Sequence, residues 1–195
     1  MNGPRFPAER LLLCAGGGIG AALLPAWILW LHQHFAIDVR VALTRGAQAL
    51  VSPKALTTVT GRPVLIDGDE QRNDPTVRHI EAAEWADAVL VAPTTANLLA
   101  KLAHGMADDL VTTILLATER PVVLVPSLPP SMEDKPCTRR NLALVQDDGF
   151  GIAPTAVGRV AADGSHGSGA MLDAPAAFAY LKRFLEGRAS SAKAA

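Results

Sequence analysis

With 195 residues, and 18 Lys and Arg against 19 Asp and Glu, the chain is long enough for one domain with a sizeable core. Its net charge of −1 leaves no electrostatic footprint for nucleic acid or an anionic membrane, and 49% hydrophobic residues exclude disorder except at the ends. The 2 cysteines, Cys14 and Cys137, lie far apart without metal-ligand spacing, so they read as reduced thiols of a cytoplasmic protein without a metal site.

Residues 11–31 carry no charge and could in length cross a bilayer. Gly16, Gly17 and Gly18 split this run into a strand over 11–15 and a helix over 19–34, with Pro25 tolerated in its first turns, so no membrane span is expected. A glycine turn here lets backbone approach a ligand and aims N–H groups at an anion, although a tight turn alone needs the same residues. A second strand over 40–44 ends at Thr44, and helical segments around 47–51 and 57–60 follow, interrupted at Ser52 and Pro53. A short apolar piece over 64–67 and a polar loop over 68–74 lead to a helix carrying Ile80, Ala83 and Trp85. Residues 88–92 (AVLVA) form a continuous apolar run, the mark of a strand covered on both faces. Pro93 is expected to end that strand, with Thr94, Thr95 and Asn97 just past its carboxyl end and a helix from Ala96 onward. Residues 121–126 read as the next buried strand, 138–146 as a helix and 151–154 as the last core strand. The glycine-rich 163–169 reads as a loop, 175–185 as an amphipathic closing helix and 188–195 as a flexible tail.

Strands alternating with helices predict one α/β domain over 1–187, a doubly wound, Rossmann-like (flavodoxin-like) parallel sheet. Ligands of such sheets bind in the crevice at the strands' carboxyl ends. The hydroxyls, amide and N–H groups collected there suit a polar, phosphorylated cofactor.

Three ordered motifs carry a resemblance. His79, Ile80, Ala83, Trp85, Ala86 and Asp87 form an H-I-x-x-A-x-W-A-D pattern. Pro93, Thr94, Thr95, Ala96, Asn97 and Leu98 match a P-A-S-A-N-T loop. Lys101, Ala103, Gly105, Ala107, Asp108, Asp109 and Leu110 match a K-x-A-x-G-x-A-D-D-L run. In these the chain resembles the flavin-dependent cysteine decarboxylases, which include phosphopantothenoylcysteine decarboxylase and the peptidyl-cysteine decarboxylases of lanthipeptide biosynthesis. A lone histidine on a helix is usually structural; the resemblance instead implies a catalytic His79. It also implies FMN, with FAD left open, held by Gly16, Gly17, Gly18, Thr44, Pro93, Thr94, Thr95 and Asn97. Substrate contacts are expected from Pro129, Met132, Asp163 and His166, and the assembly as a homotrimer, or a dodecamer built from trimers, with the flavin at a subunit interface.

Departures from the family pattern are specific. Gly18 stands where the glycine turn usually has a serine. In the family's P-x-M-N-x-x-M-W-x-x-P segment, Pro126, Met132 and Pro136 match, but Leu128, Pro129 and Glu133 replace methionine, asparagine and tryptophan. That asparagine binds the substrate carboxylate in the family, and Arg139, Arg140 and Asn141 are nearby substitutes. Asp163 and Ala170 fall where phosphopantothenoylcysteine decarboxylases carry a clamp cysteine and an arginine. The expected chemistry follows from the groups: oxidising the cysteine side chain to a thioaldehyde gives the carboxylate an electron sink, and carbon dioxide leaves an enethiolate. The expected substrate is a precursor peptide with a C-terminal cysteine. A non-catalytic flavin-binding protein and a phosphopantothenoylcysteine decarboxylase are the alternatives.

Overall fold

The computed structural model describes residues 6–67, 77–159 and 166–194. Its centre is a six-stranded, wholly parallel sheet in the order β3-β2-β1-β4-β5-β6, formed by β1 (Arg10–Ala15), β2 (Asp38–Leu43), β3 (Leu65–Ile66), β4 (Ala88–Thr94), β5 (Val122–Pro126) and β6 (Gly151–Ile152). The chain winds outward from β1 to β3, then crosses back to β4 and winds the other way. The switch point therefore lies between the carboxyl ends of β1 and β4.

Side chains of β1 alternate between two cores, because successive residues of a strand face opposite sides. Leu11 and Leu13 pack with Trp27, Leu56 and Phe178 beneath α1 (Leu24–His34), α3 (Pro53–Thr60) and α9 (Ala174–Ala194). Leu12 and Cys14 pack with Ala82, Leu98, Val111 and Val145 from α4 (Arg78–Trp85), α5 (Ala96–Ala103), α6 (Leu110–Ala117) and α8 (Pro136–Asp147). Every residue of β4 is buried, as its unbroken apolar run requires. Phe178 is wedged between Trp30 at 5.8 Å and Trp27 at 6.0 Å, a burial worth about 1.5–3 kcal/mol.

Four elements differ from expectation. Pro93 does not end β4: Gly16 N–H donates to Pro93 O at 2.9 Å and Ser127 N–H to Thr94 O at 2.9 Å, because a proline loses only its donor and keeps its acceptor. The expected helix over 19–34 is a 3-10 turn (Ile19–Leu23) followed by α1, with Pro25 in the first turn of α1. Of the glycine-rich segment, residues 166–169 belong to a strand, β8 (His166–Ala170), paired antiparallel with β7 (Ala156–Arg159) as a hairpin outside the main sheet, while 163–165 lie outside the described residues. The last helix continues past Leu185 to Ala194, with Ser190 and Ser191 hydroxyls donating to the carbonyls of Glu186 and Gly187 and alanines favouring the helix.

Among the described residues no helix is long and apolar enough to cross a membrane; residues 11–31 are divided between β1, the 3-10 turn and α1. Asp87, part of the first motif, lies at the amino edge of the sheet. It accepts from Glu9 N at 3.1 Å, from Arg10 N at 2.9 Å and from the Arg10 guanidinium at 2.7 Å, pinning the start of β1 to that of β4. The hydrogen bond from Arg10 outweighs burial and holds the Asp87 carboxyl below its ordinary range.

Candidate functional site

The site begins where β1 runs out. Gly16 crosses so close to β4 that a Cβ on it would stand 2.8 Å from Pro93 O, and one on Gly17 would stand 2.9 Å from the backbone of Gly46. Only glycine fits there without a backbone shift. Gly17 N–H has no hydrogen-bond partner among the described residues, and the first N–H groups of α5 have no intrahelical acceptor. Thr44, N-cap of α2 (Arg45–Gln48), donates its hydroxyl to Ala15 O at 3.0 Å and accepts from Ala47 N at 3.3 Å. Thr95, N-cap of α5, accepts from Leu98 N at 3.3 Å.

These groups surround a cavity of about 690 Å³ at the switch point, lined by Gly16, Gly17, Gly18, Thr44, Thr95 and Asn97, and on its far side by Pro129 and Met132. Two predicted cofactor residues stand elsewhere. Pro93 and Thr94 are buried behind the wall: the Thr94 hydroxyl donates to Val91 O at 2.8 Å, and the Pro93 ring backs Gly18, where a Cβ would stand 3.2 Å from its Cγ. The strand continues through both, so neither faces the cavity.

The cavity also contains residues that the sequence did not single out as ligands: Arg45, Lys101, Asp109 and Ser127. Lys101 pairs with Asp108 at 2.7 Å and Asp109 at 2.9 Å, closing the loop between α5 and α6. Its ammonium is held above its ordinary range, first by Asp108 and then by Asp109. Asp109 is also the N-cap of α6, accepting from Thr112 N at 2.8 Å. Burial alone raises its pKa, but the bonds from Thr112 and Lys101 prevail and lower it. The matched third motif contained both residues; their meeting in space was the missing information.

A second cavity of about 320 Å³ lies between the 3-10 turn and the β7–β8 hairpin, lined by Leu23, Ser168, Gly169 and Met171 and joined to the first at Ile19, Ser127 and Pro129. Gly169 O accepts from Leu128 N at 2.8 Å, which docks the hairpin on the segment after β5. Pro129 is the N-cap of α7 (Pro130–Glu133), and half-exposed Met132 faces the first cavity. His166 opens β8 opposite Arg159, while Asp163 lies outside the described residues.

His79 sits half-buried in the first turn of α4 and lines neither cavity. Because α4 runs back between β3 and β4, that turn lies toward the carboxyl edge of the sheet. The proposed substitutes for the missing asparagine do not reach the site either. Arg139 pairs with Asp134 at 2.7 Å on the surface, Asn141 is buried in α8 with Oδ1 unpartnered among the described residues, and Arg140 lines neither cavity. A further cavity of about 560 Å³, by Pro121 and Val122 at the start of β5, holds none of the predicted residues.

A glycine-walled space with two helix-cap hydroxyls, and with N–H groups and an Asn97 amide that have no partner among the described residues, fits a flat cofactor with an anionic end. The smaller, mostly apolar space beside it has the dimensions of a substrate arm.

The chain is 39% identical over 142 residues to the coenzyme A biosynthesis bifunctional protein CoaBC of Bacillus subtilis (strain 168), a match covering 73% of this chain and 35% of that protein. The chain thus spans under half the length of the curated relatives it matches. A PPC decarboxylase mutant solved with pantothenoylaminoethenethiol is similar with a TM-score of 0.81 at 28% identity, over 91% of this chain and 98% of that one. The FMN-dependent cysteine decarboxylase SpaF gives 0.72 at 31% identity, over 88% and 97%. The Flavoprotein family model matches residues 5–185, a stretch that takes in the glycine turn, the loop after β4 and the hairpin, and the chain belongs to the Flavoprotein family.

Proposed function

We propose that the chain is an FMN-dependent decarboxylase of an N-acylated cysteine, with phosphopantothenoylcysteine as substrate. The observation that carries this is the meeting of the two cavities at Ile19, Ser127 and Pro129, which sets an apolar substrate space against a glycine-walled cofactor space. The choice of acyl group corrects the expectation of a peptide substrate: the similar proteins named in coenzyme A biosynthesis and PPC decarboxylation support the pantothenoyl form.

Gly16, Gly17, Gly18, Thr44, Thr95 and Asn97 would hold FMN, which when bound supplies the oxidation that gives the carboxylate its electron sink. His79 takes the thiol proton on its imidazole. The hairpin covers the substrate arm and excludes water. Copies assemble as trimers or multiples of trimers through the apolar rim of the cavities, where Ile19 and Leu23 are 60% and 55% exposed. In that assembly His79 of one copy faces the cavity of another.

A peptide ending in cysteine is the second reading, supported by Pro129 in place of an amide and by the absence of cysteine between 156 and 170. The holoprotein is incubated with phosphopantothenoylcysteine and, separately, with such a peptide, and the products are weighed by mass spectrometry. Loss of carbon dioxide from the first substrate supports the proposal, and loss from the peptide alone supports the second reading. No loss from either leaves a flavin-binding protein without this activity.

A further inference from the structure

We infer that Ser127, with Ser168 across the second cavity, receives the substrate carboxylate through neutral hydroxyls, in place of an amide or a cation. The inference rests on the decarboxylase reading of the same site. Ser127 follows β5, where its N–H is committed to Thr94 O at 2.9 Å, while its hydroxyl has no partner among the described residues. It is the polar side chain on the wall that both cavities share, the other shared residues being Ile19 and Pro129. A group at the junction therefore has this serine as a neighbour from either cavity. Ser168 lines the same cavity from β8, carried there by the Gly169–Leu128 hydrogen bond.

None of the described residues lining that cavity is charged. Of the charged residues in the first cavity, Lys101 is paired with Asp108 and Asp109, and Arg45 stands beside Thr44 and Gly46, whereas neither lines the second cavity. A carboxylate held in the second cavity has two hydroxyl donors and apolar neighbours, and no charged residue among the described lining. Its negative charge is poorly solvated in the ground state. As the C–C bond breaks, the electron pair passes to the carbon–sulfur system and neutral carbon dioxide remains among the apolar side chains. Binding that stabilises the bound carboxylate less than the transition state raises turnover. An arginine in the same place would favour the ground state. Pro129 then removes a donor from the rim, and the neighbouring hydroxyl takes over orientation.

The test compares ligands that differ only in the carboxylate. The flavin-loaded protein is titrated with pantothenoylcysteine and with pantothenoylcysteamine, following the flavin absorbance, for the unaltered chain and for Ser127→Ala, Ser168→Ala and Ser127→Thr. Ser127→Ala should weaken the carboxylated ligand by about tenfold, as expected for a hydrogen bond to a charged group. The cysteamine should bind as before, the flavin content should not change, and Ser127→Thr should restore most of the preference. Equal weakening of both ligands, or no weakening of either, overturns the assignment. If the chain distinguishes the two ligands through Ser127 but turns over no cysteine substrate, the carboxylate site stands and the decarboxylase reading falls.

Discussion

Gly169 and Leu128 touch backbone to backbone: Leu128 N–H donates to Gly169 O at 2.8 Å, and a Cβ on Gly169 would stand 1.7 Å from Leu128 O. Gly169 also has φ of +92°, which side chains disfavour. Gly169→Ala should therefore lift the hairpin off the segment after β5. We expect a stability loss of about 1–3 kcal/mol and a fall in turnover of about a hundredfold, with flavin still bound. Thermal unfolding, flavin absorbance and turnover measured together check this; unchanged turnover would show that the hairpin does not order the substrate.

Replacing His79 with Asn keeps a polar side chain and removes the imidazole. Decarboxylation should fall by about two to four orders of magnitude while flavin content and oligomer size stay constant. Near-normal turnover would return His79 to a structural role. The same samples, sized by light scattering, report whether the protein is trimeric; a monomer that is fully active would contradict the shared site.

The Asp109 cap links the cofactor wall to pH. Its carboxyl is depressed in the folded state, so its contribution is present above the unfolded value of about 3.9 and is lost as pH falls through the folded value. Asp109→Ala should cost about 1–2 kcal/mol at neutral pH through the lost cap and lysine partner. The difference from the unaltered chain should narrow on acidification below about pH 4. Urea unfolding at the two pH values measures it, and a cost independent of pH would show that the charge contributes nothing beyond the cap.

The mass of the product reports whether the electrons removed from the cysteine return to it. Cys14 is buried in β1, where burial pushes its thiol up to about 12, and Cys137 lies on exposed α8 outside both cavities. With neither thiol at the site, the product should be an enethiol, lighter than its substrate by carbon dioxide and two hydrogens, and turnover should need an external electron acceptor. A saturated thiol, lighter by carbon dioxide alone, would show that the electrons return to the product without a hairpin cysteine and that no external acceptor is needed.

The sheet was legible because its strands are short apolar runs bounded by glycine and proline, and a strand buried on both faces must be apolar throughout. The same local logic revealed the turn at Gly16, Gly17 and Gly18, Thr44 at the end of β2, and the start of α5 at Ala96. It failed at Pro93 and Thr94, because whether a residue past an apolar run faces solvent or the core depends on neighbouring strands, here the bonds to Gly16 and Ser127. It also missed Ser127, which in sequence is a small polar residue before a proline-rich loop. Only the fold brings β5, the 3-10 turn and the hairpin to one wall, where Ser127, its hydroxyl without a partner among the described residues, lines both cavities. Local sequence determines which segments are strands and helices through burial and backbone preference. Which polar groups converge is decided by contacts between segments far apart in the chain, and that requires the assembled structure.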